Sequence, residues 1–242
     1  MITKEELQYY QRQLGIPSWG IDAQNRLKSA RVFVAGAGGL GSPVLMYLAA
    51  AGVGTLTFCD DDRVDPSNLN RQIIHSRTRI GALKVDSVCH VLSELNPQVK
   101  LHPIKKKITS GTVENLLSDS AIIVDCLDNF KTRMVMNKIS VKMRIPMVHG
   151  GVEGMRGQIS FFNPPHTACL ACIIPGKSIE KKVNIAGATA GVIGSLQALE
   201  AIKHITGIGE PLYNKILFWD GADMRFETVT VERNPKCPVC RQ

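Results

Sequence analysis

The residues in this 242-residue chain best suited to chemistry fall into three groups. The first is cysteine. Cys169 and Cys172 form one C-x-x-C pair, and Cys237 and Cys240 form another. Each pair presents two sulfurs from one tight knuckle. Two knuckles complete the four-thiolate tetrahedron of a structural zinc ion, with no position left open for a catalytic water. The 64 residues between Cys172 and Cys237 are more than a compact finger uses, so the fold must return the second pair to the first.

The second group is a glycine-rich turn. In "RVFVAGAGGLGS", Gly36, Gly38 and Gly41 have the spacing G-x-G-x-x-G directly after an apolar run. The first glycine permits a tight turn, the second lets a phosphate approach the backbone, and the third lets a helix pack on a strand. The N–H groups that open such a helix attract an anion. Asp60 ends the next apolar run, where a carboxylate can accept hydrogen bonds from a ribose, and Asp62 follows closely. The turn indicates a nucleotide without naming it, so NAD and FAD stay open beside ATP on this motif alone.

The third group narrows that choice. Asn68 and Arg71 lie in "SNLNRQ", Lys84 just beyond, and Asp128 in "DCLDN" after another apolar run. A hydride-transfer site has no evident use for an Arg, a Lys and a metal-ready carboxylate around its phosphates. A triphosphate does: cations neutralise the leaving pyrophosphate, and an Asp can hold Mg²⁺ between phosphate oxygens. Any one of these residues alone is ordinarily a surface charge.

These groups need a scaffold, and the periodicity supplies one. Helices are predicted over Lys4–Gln13 and Asp22–Ala30. Strand Arg31–Ala35, the turn and a helix to Ala51 follow, with Ser42-Pro43 as cap and first turn. The next expectations are strand Thr55–Cys59, helix Gly81–Leu95, strand Val99–Ile104, helix Gly111–Leu117, strand Ala121–Asp125, helix Asn129–Met143 and strand Pro146–His149 ending at Gly150-Gly151. This alternation implies a parallel sheet covered on both faces. After Gly151 the pattern changes to an antiparallel strand "GQISFFN", a helix over Gly191–Thr206 and a closing pair "KILFWDG" and "FETVTVER". The fold class is therefore α/β: a Rossmann-like doubly wound, mostly parallel sheet continuing into an antiparallel half, with a structural zinc site. One continuous domain is expected over 1–242, with N-terminal helices in 1–30, a nucleotide-binding half in 31–150 and an antiparallel half with the zinc knuckles in 151–242.

Composition is that of a globular protein, 44% hydrophobic and 21% charged. The uncharged run Val32–Cys59 is long enough to span a bilayer, but its glycines and Pro43 fit a buried strand–turn–helix–strand unit better. The start carries charge and no apolar signal core, so the expected location is the cytoplasm, with no membrane association. Seven cysteines there do not imply disulfides. The net charge of +8 suits an anionic ligand or acidic partner. No aromatic-rich motif accompanies it to suggest nucleic acid, and "KKK" at 105–107 reads as a solvated loop or edge. Cys59, Cys89 and Cys126 read as small buried hydrophobes, and the methionines as fillers of core gaps or a docking surface. The histidines form no cluster, and His149 reads as a core or rim residue rather than a base.

The chain resembles the MoeB/ThiF/HesA adenylyltransferases, relatives of the ubiquitin-activating enzymes, and most closely the molybdopterin-synthase adenylyltransferase type. The resemblance runs through "YYQRQLGIPSWGIDAQNRLKSARVFVAGAGGLGS", "DDDRVDPSNLNRQIIH", "GALKVDS", "DCLDNFKTR", "GQISFF", "CLAC", "GVIGSLQALEAIK" and "NPKCPVC". It implies that Gly38, Gly39 and Gly41 lie along the ATP phosphates and that Asp60 takes the ribose. Asn68, Arg71 and Lys84 would contact the triphosphate, and Asp128 would hold Mg²⁺. Arg12 would reach the phosphates from the neighbouring subunit of a homodimer. The implied reaction adenylates the C-terminal glycine of a small β-grasp carrier protein ending in Gly-Gly, in molybdopterin, thiamine or related sulfur transfer. Many relatives place a cysteine in the loop after the first zinc pair. Here no cysteine lies between Cys172 and Cys237. The expectation is adenylation without an enzyme thioester, with sulfur delivered by a separate protein. A same-fold enzyme acting on a small-molecule or cofactor carboxylate is the alternative.

Overall fold

The structure, a computed structural model, describes residues 2–117, 119–174 and 184–241. Three helices, α1 (Lys4–Tyr9), α2 (Gln11–Leu14) and α3 (Gly20–Ser29), lead into β1 (Arg31–Ala35). Then come α4 (Gly41–Ala50), β2 (Thr55–Cys59), α5 (Lys84–Leu95), β3 (Lys100–Ile104), α6 (Val113–Leu116), β4 (Ile122–Asp125), α7 (Phe130–Met143) and β5 (Met147–Glu153). The remainder is β6 (Arg156–Phe162), α8 (Leu170–Ile173), α9 (Gly187–Thr206), β7 (Lys215–Asp220) and β8 (Arg225–Thr230).

All eight strands join one sheet in the order β3-β2-β1-β4-β5-β6-β7-β8. The pairs from β3 to β5 are parallel, and those from β5 to β8 are antiparallel. The expected α/β architecture, parallel half and antiparallel half, is therefore present. Chain order reverses at β1, which lies between β2 and β4, so a crevice opens beyond the carboxyl ends of β1 and β4. Alternate strand residues feed two cores. Val32, Val34, Ile122, Val124 and Val148 pack with residues of α4, α5 and α9. Phe33, Ala35, Ile123 and Met147 pack with Met136 and Ile139 of α7. Among the described residues no helix is long and apolar enough to cross a membrane.

Four local expectations need correction. The first helix breaks at Tyr10, whose buried ring lies where a side chain on Gly52 would stand and whose hydroxyl accepts from Asn96 Nδ2 at 2.8 Å. Ser42 does not cap α4: it lies inside the first turn, its Oγ donating to the Gly38 carbonyl at 2.7 Å, and no side chain caps this helix. Gly150-Gly151 does not end its strand, because β5 runs on to Glu153 paired with β6. Glycine is required at 150 because α9 packs there, and a Cβ would strike the Gln197 side chain. Finally, α9 starts at Gly187 rather than Gly191.

Candidate active site

The turn between β1 and α4 is held from three sides. Gly36 has φ +96°, and a Cβ there would lie 2.8 Å from the Cys126 carbonyl oxygen, so only glycine fits where the turn passes the end of β4. Asp60 Oδ2 accepts from Ala37 N–H at 2.8 Å, while its Oδ1 accepts from Asp62 N–H at 2.9 Å. The acid at the end of β2 thus fastens the turn, and each oxygen keeps a lone pair for a ribose hydroxyl. Buried His75 completes the support, with Nε2 3.0 Å from the Ala37 carbonyl and Nδ1 2.9 Å from Ser87 Oγ. Its Nε2 carries the proton, since a carbonyl only accepts. Burial holds its pKa below 6.5. This is a satisfied structural histidine, as expected.

The crevice side of the turn is left open. The start of α4 has no side-chain cap. A Cβ on Gly38 would meet only the Gln72 side chain, 3.5 Å away. An uncapped helix start behind an open glycine backbone is a physical receptor for phosphate. Asp65 builds the neighbouring loop by capping a single 3₁₀ turn, Pro66–Asn68, accepting from Ser67 N–H at 2.8 Å. That turn directs Arg71 toward Gly39, where its Cγ would lie 3.6 Å from a Cβ, and its guanidinium donates to the Ser67 carbonyl at 2.9 Å. The half-buried Asn68 accepts from Arg71 and Gln72 N–H through its carbonyl at 3.1 and 2.9 Å. Lys84 opens α5, and its buried side chain sends Nζ to Asp62 Oδ2 at 2.8 Å. One ammonium proton is committed there, leaving two for an anion.

Asp128 stands exposed three residues beyond β4. Its only hydrogen bond among the described residues is a 3.5 Å contact from Asn129. An uncommitted carboxylate at the crevice is a suitable ligand for a hard cation such as Mg²⁺. The structure thus gathers Gly38, Gly39, Gly41, Asp60, Asp62, Asn68, Arg71 and Lys84 around one turn, with Asp128 on the loop that packs against it. It does not bring Arg12 there. Arg12 is exposed on α2, and no hydrogen bond or ion pair joins it to these residues within the described chain.

Sequence reasoning missed Gln72, which is buried beside Gly38 with Oε1 unpaired among the described residues. It also missed the partners that α7 brings in. Asn129 caps that helix by accepting from Thr132 N–H at 2.9 Å. Arg133, one turn on, reaches back to the Leu127 carbonyl. Asn137, another turn on, accepts from Leu170 N–H at 2.9 Å and donates to Cys169 Sγ at 3.6 Å. The only signals were their places in "SNLNRQ" and "DCLDNFKTR" and a spacing of four on one helix face.

The two cysteine pairs meet as the spacing requires. All four sulfurs lie within 4.8 Å of one another. Cys169–Cys172, Cys169–Cys237 and Cys172–Cys240 are separated by 4.0, 3.7 and 3.4 Å. Disulfide sulfurs would be ~2.05 Å apart. Four thiolates at ~2.3 Å from a zinc ion would stand ~3.8 Å from one another. The set therefore fits tetrahedral zinc. The other cysteines are unlike these. Burial pushes the Cys59 thiol up to about 12 and, with the Asp125 charge, lifts Cys126 well above its usual range. Cys89 is half-buried and also raised.

The sequence profile of the ThiF family matches residues 10–239. The chain belongs to the ThiF family. Among ThiF relatives, the SAMP-activating enzyme E1 of Haloferax volcanii is 38% identical over 241 residues, covering 97% of this chain and 89% of that one. The sulfur carrier protein adenylyltransferase of Thermus thermophilus is 39% identical over 249 residues, covering 98% and 92%. The fold matches the crystal structure of E. coli MccB with AMPCPP and MccA at a TM-score of 0.89 and 24% identity, over 98% of this chain and 75% of that one. The resemblance in the sequence and the doubly wound fold thus agree with ThiF membership.

Proposed function

We propose that this ThiF-family adenylyltransferase activates the C-terminal glycine carboxylate of a small ubiquitin-like sulfur-carrier protein, using ATP and releasing pyrophosphate. The observation that carries the reading is the open, uncapped glycine turn with Arg71, Lys84 and Asp128 arranged around it. The names of the ThiF relatives supply the substrate class.

The chemistry follows from charge. The attacking carboxylate is already an anion, so no protein base is required. The protein's task is to align carboxylate, α-phosphorus and leaving group and to balance the charge that moves onto pyrophosphate. Gly38 and Gly39 let the phosphates lie against backbone N–H groups, and Arg71 and Lys84 supply positive charge. Asp60 orients the ribose, and Asp128 would hold Mg²⁺, which supplies further charge neutralisation. The four cysteines would hold zinc as a structural ion. Adenylation proceeds here without an enzyme thioester: Cys59 and Cys126 are buried with raised pKa values, and Cys89 is half-buried. Residues 175–183 of the loop after the first zinc pair contain no cysteine and lie outside the described residues. Sulfur then comes from a separate protein in the cytoplasm. Arg12 serves a neighbouring subunit, in keeping with its exposure and with the lack of a bond from it to the turn among the described residues.

The test is ATP–pyrophosphate exchange with Mg²⁺, run without carrier, with intact Gly-Gly carriers, and with carriers lacking the last glycine. Exchange that requires the intact carrier supports the reading. Exchange driven by a small carboxylate alone refutes it, and a carrier covalently attached to any cysteine refutes the thioester-free route. For Arg12, a mixture of inactive Arg12→Ala and inactive Lys84→Ala proteins should recover activity as mixed dimers. No recovery would remove the cross-subunit role.

A further inference from the structure

A buried charged cluster lies at the end of β4, behind the glycine turn and apart from the zinc-knuckle cysteines. Asp125, the last residue of β4, is completely buried. Its Oδ1 accepts from Leu127 N–H at 3.1 Å. Its Oδ2 accepts from His149 Nδ1–H at 2.8 Å and lies 3.9 Å from Arg133 Nε. Arg133 directs Nε to the Leu127 carbonyl at 3.0 Å and adds a second bond from Nη2. From the opposite face of the sheet, Gln197 Nε2 donates to the Asp125 carbonyl at 2.8 Å.

Three of these bonds end on the backbone of Leu127. Leu127 belongs to no helix or strand, so nothing regular fixes its backbone. Its N–H is held by Asp125 and its C=O by Arg133, and the next residue is Asp128. A buried ion pair is a weak device for stability alone, since apolar replacements often serve as well. Here, among the described residues, the charge-assisted bonds of the pair other than that to His149 end on the turn that presents Asp128. His149 braces the carboxylate from β5, in register with Asp125, and its Nε2 has no partner among the described residues. Burial opposes ionisation of Asp125, but Arg133 and the His149 bond outweigh it, and the acid's pKa stays below its usual value.

We propose that Asp125 and Arg133 are positioning residues for Asp128, holding both backbone groups of Leu127 so that the neighbouring carboxylate stands ready for a divalent cation arriving with a nucleotide. The proposal rests on the nucleotide-site reading given above. Neither residue needs to touch the cation or the phosphates.

Calorimetry tests this by comparing ATP affinity in EDTA with affinity in Mg²⁺, and Mn²⁺ titration by electron paramagnetic resonance gives a second readout. Neither requires turnover. Asp128→Asn should abolish the gain in affinity that Mg²⁺ confers. Asp125→Asn and Arg133→Lys should cut that gain about 10-fold, the usual cost of losing an outer support of a metal ligand, and leave affinity in EDTA within about twofold. Equal losses with and without Mg²⁺ would show general damage to the site and overturn the proposal, as would an undiminished gain. If Asp125→Asn does not fold, His149→Gln and His149→Phe take its place. Gln keeps a donor for Asp125 and should keep the gain, whereas Phe should lose part of it, and identical behaviour of the two overturns the proposal. An Asp128→Asn protein with its Mg²⁺ gain intact would instead defeat the nucleotide-site reading itself.

Discussion

Gly38 and Gly41 belong to one motif, yet the structure gives them opposite sensitivities. Gly41 is buried, and a Cβ there would press into the Gly36 carbonyl, 3.0 Å from its carbon and nearer still to its oxygen. Neither group can give way, because Gly36 is itself pinned against the Cys126 carbonyl. Gly41→Ala should therefore cost about 3 kcal/mol, the upper part of the usual range for overpacking. For a chain of this length that lowers Tm by about 6–12 °C. Gly38 is half-exposed, its φ lies outside the left-handed region, and a Cβ meets only the Gln72 amide at 3.5 Å. Gly38→Ala should leave stability unchanged or raise it by up to ~1 kcal/mol through the unfolded chain. Its methyl group would instead stand where a phosphate must approach the backbone. ATP affinity should fall by at least ~10-fold, about 1.4 kcal/mol. Thermal denaturation and calorimetric titration of both variants decide the matter. A Gly38→Ala protein that binds ATP normally would refute the placement of phosphate at this turn. A Gly41→Ala protein with an unchanged Tm would refute the rigidity assigned to it.

Three other outcomes are expected. The purified protein should carry one zinc ion per chain, and Asn137→Asp, which puts a like charge beside the Cys169 thiolate, should release zinc to a chromogenic chelator faster than wild type; equal release rates would remove Asn137 from the site. His75, His149 and His204 all have pKa values lowered from 6.5, each chiefly by burial. The unfolded chain therefore binds more protons just below that pH, so the contribution of these neutral imidazoles is complete above about 6.5 and is lost as pH falls; a urea midpoint no lower at pH 5.5 than at pH 7.5 would contradict this. Iodoacetamide at pH 7.5 should modify Cys89 ahead of Cys59 and Cys126, as peptide mass spectrometry can show, and faster labelling of Cys59 would reopen the question of a reactive thiol.

The parts of this protein written in local spacing are readable in its sequence. The strand before Gly36, the turn itself and the paired cysteines each depend on residues close in sequence or on a ligand geometry that fixes their number. The site's supports were not readable in this way. Asp125 meets His149 only because the sheet order puts β5 beside β4, and Arg133 reaches Leu127 only through the angle at which α7 leaves its Asn129 cap. The break at Tyr10 depends on Gly52, forty-two residues away, leaving room for a ring. The run through Gly150-Gly151 looked like a terminator because glycine usually punctuates. In the fold it is the clearance that α9 needs.

Helix α7 carries Asn129, Arg133 and Asn137 four residues apart, serving in turn its own start, the Leu127 turn and the Cys169 knuckle. Substitutions along its outer side disturb none of these. Removing one residue between Asn129 and Arg133 would rotate everything downstream by roughly 100° and draw it back by ~1.5 Å, detaching the later two contacts together. The outer side of the helix should therefore drift in composition over evolutionary time while the helix's length stays fixed, and insertions accepted by this lineage should fall in its loops instead.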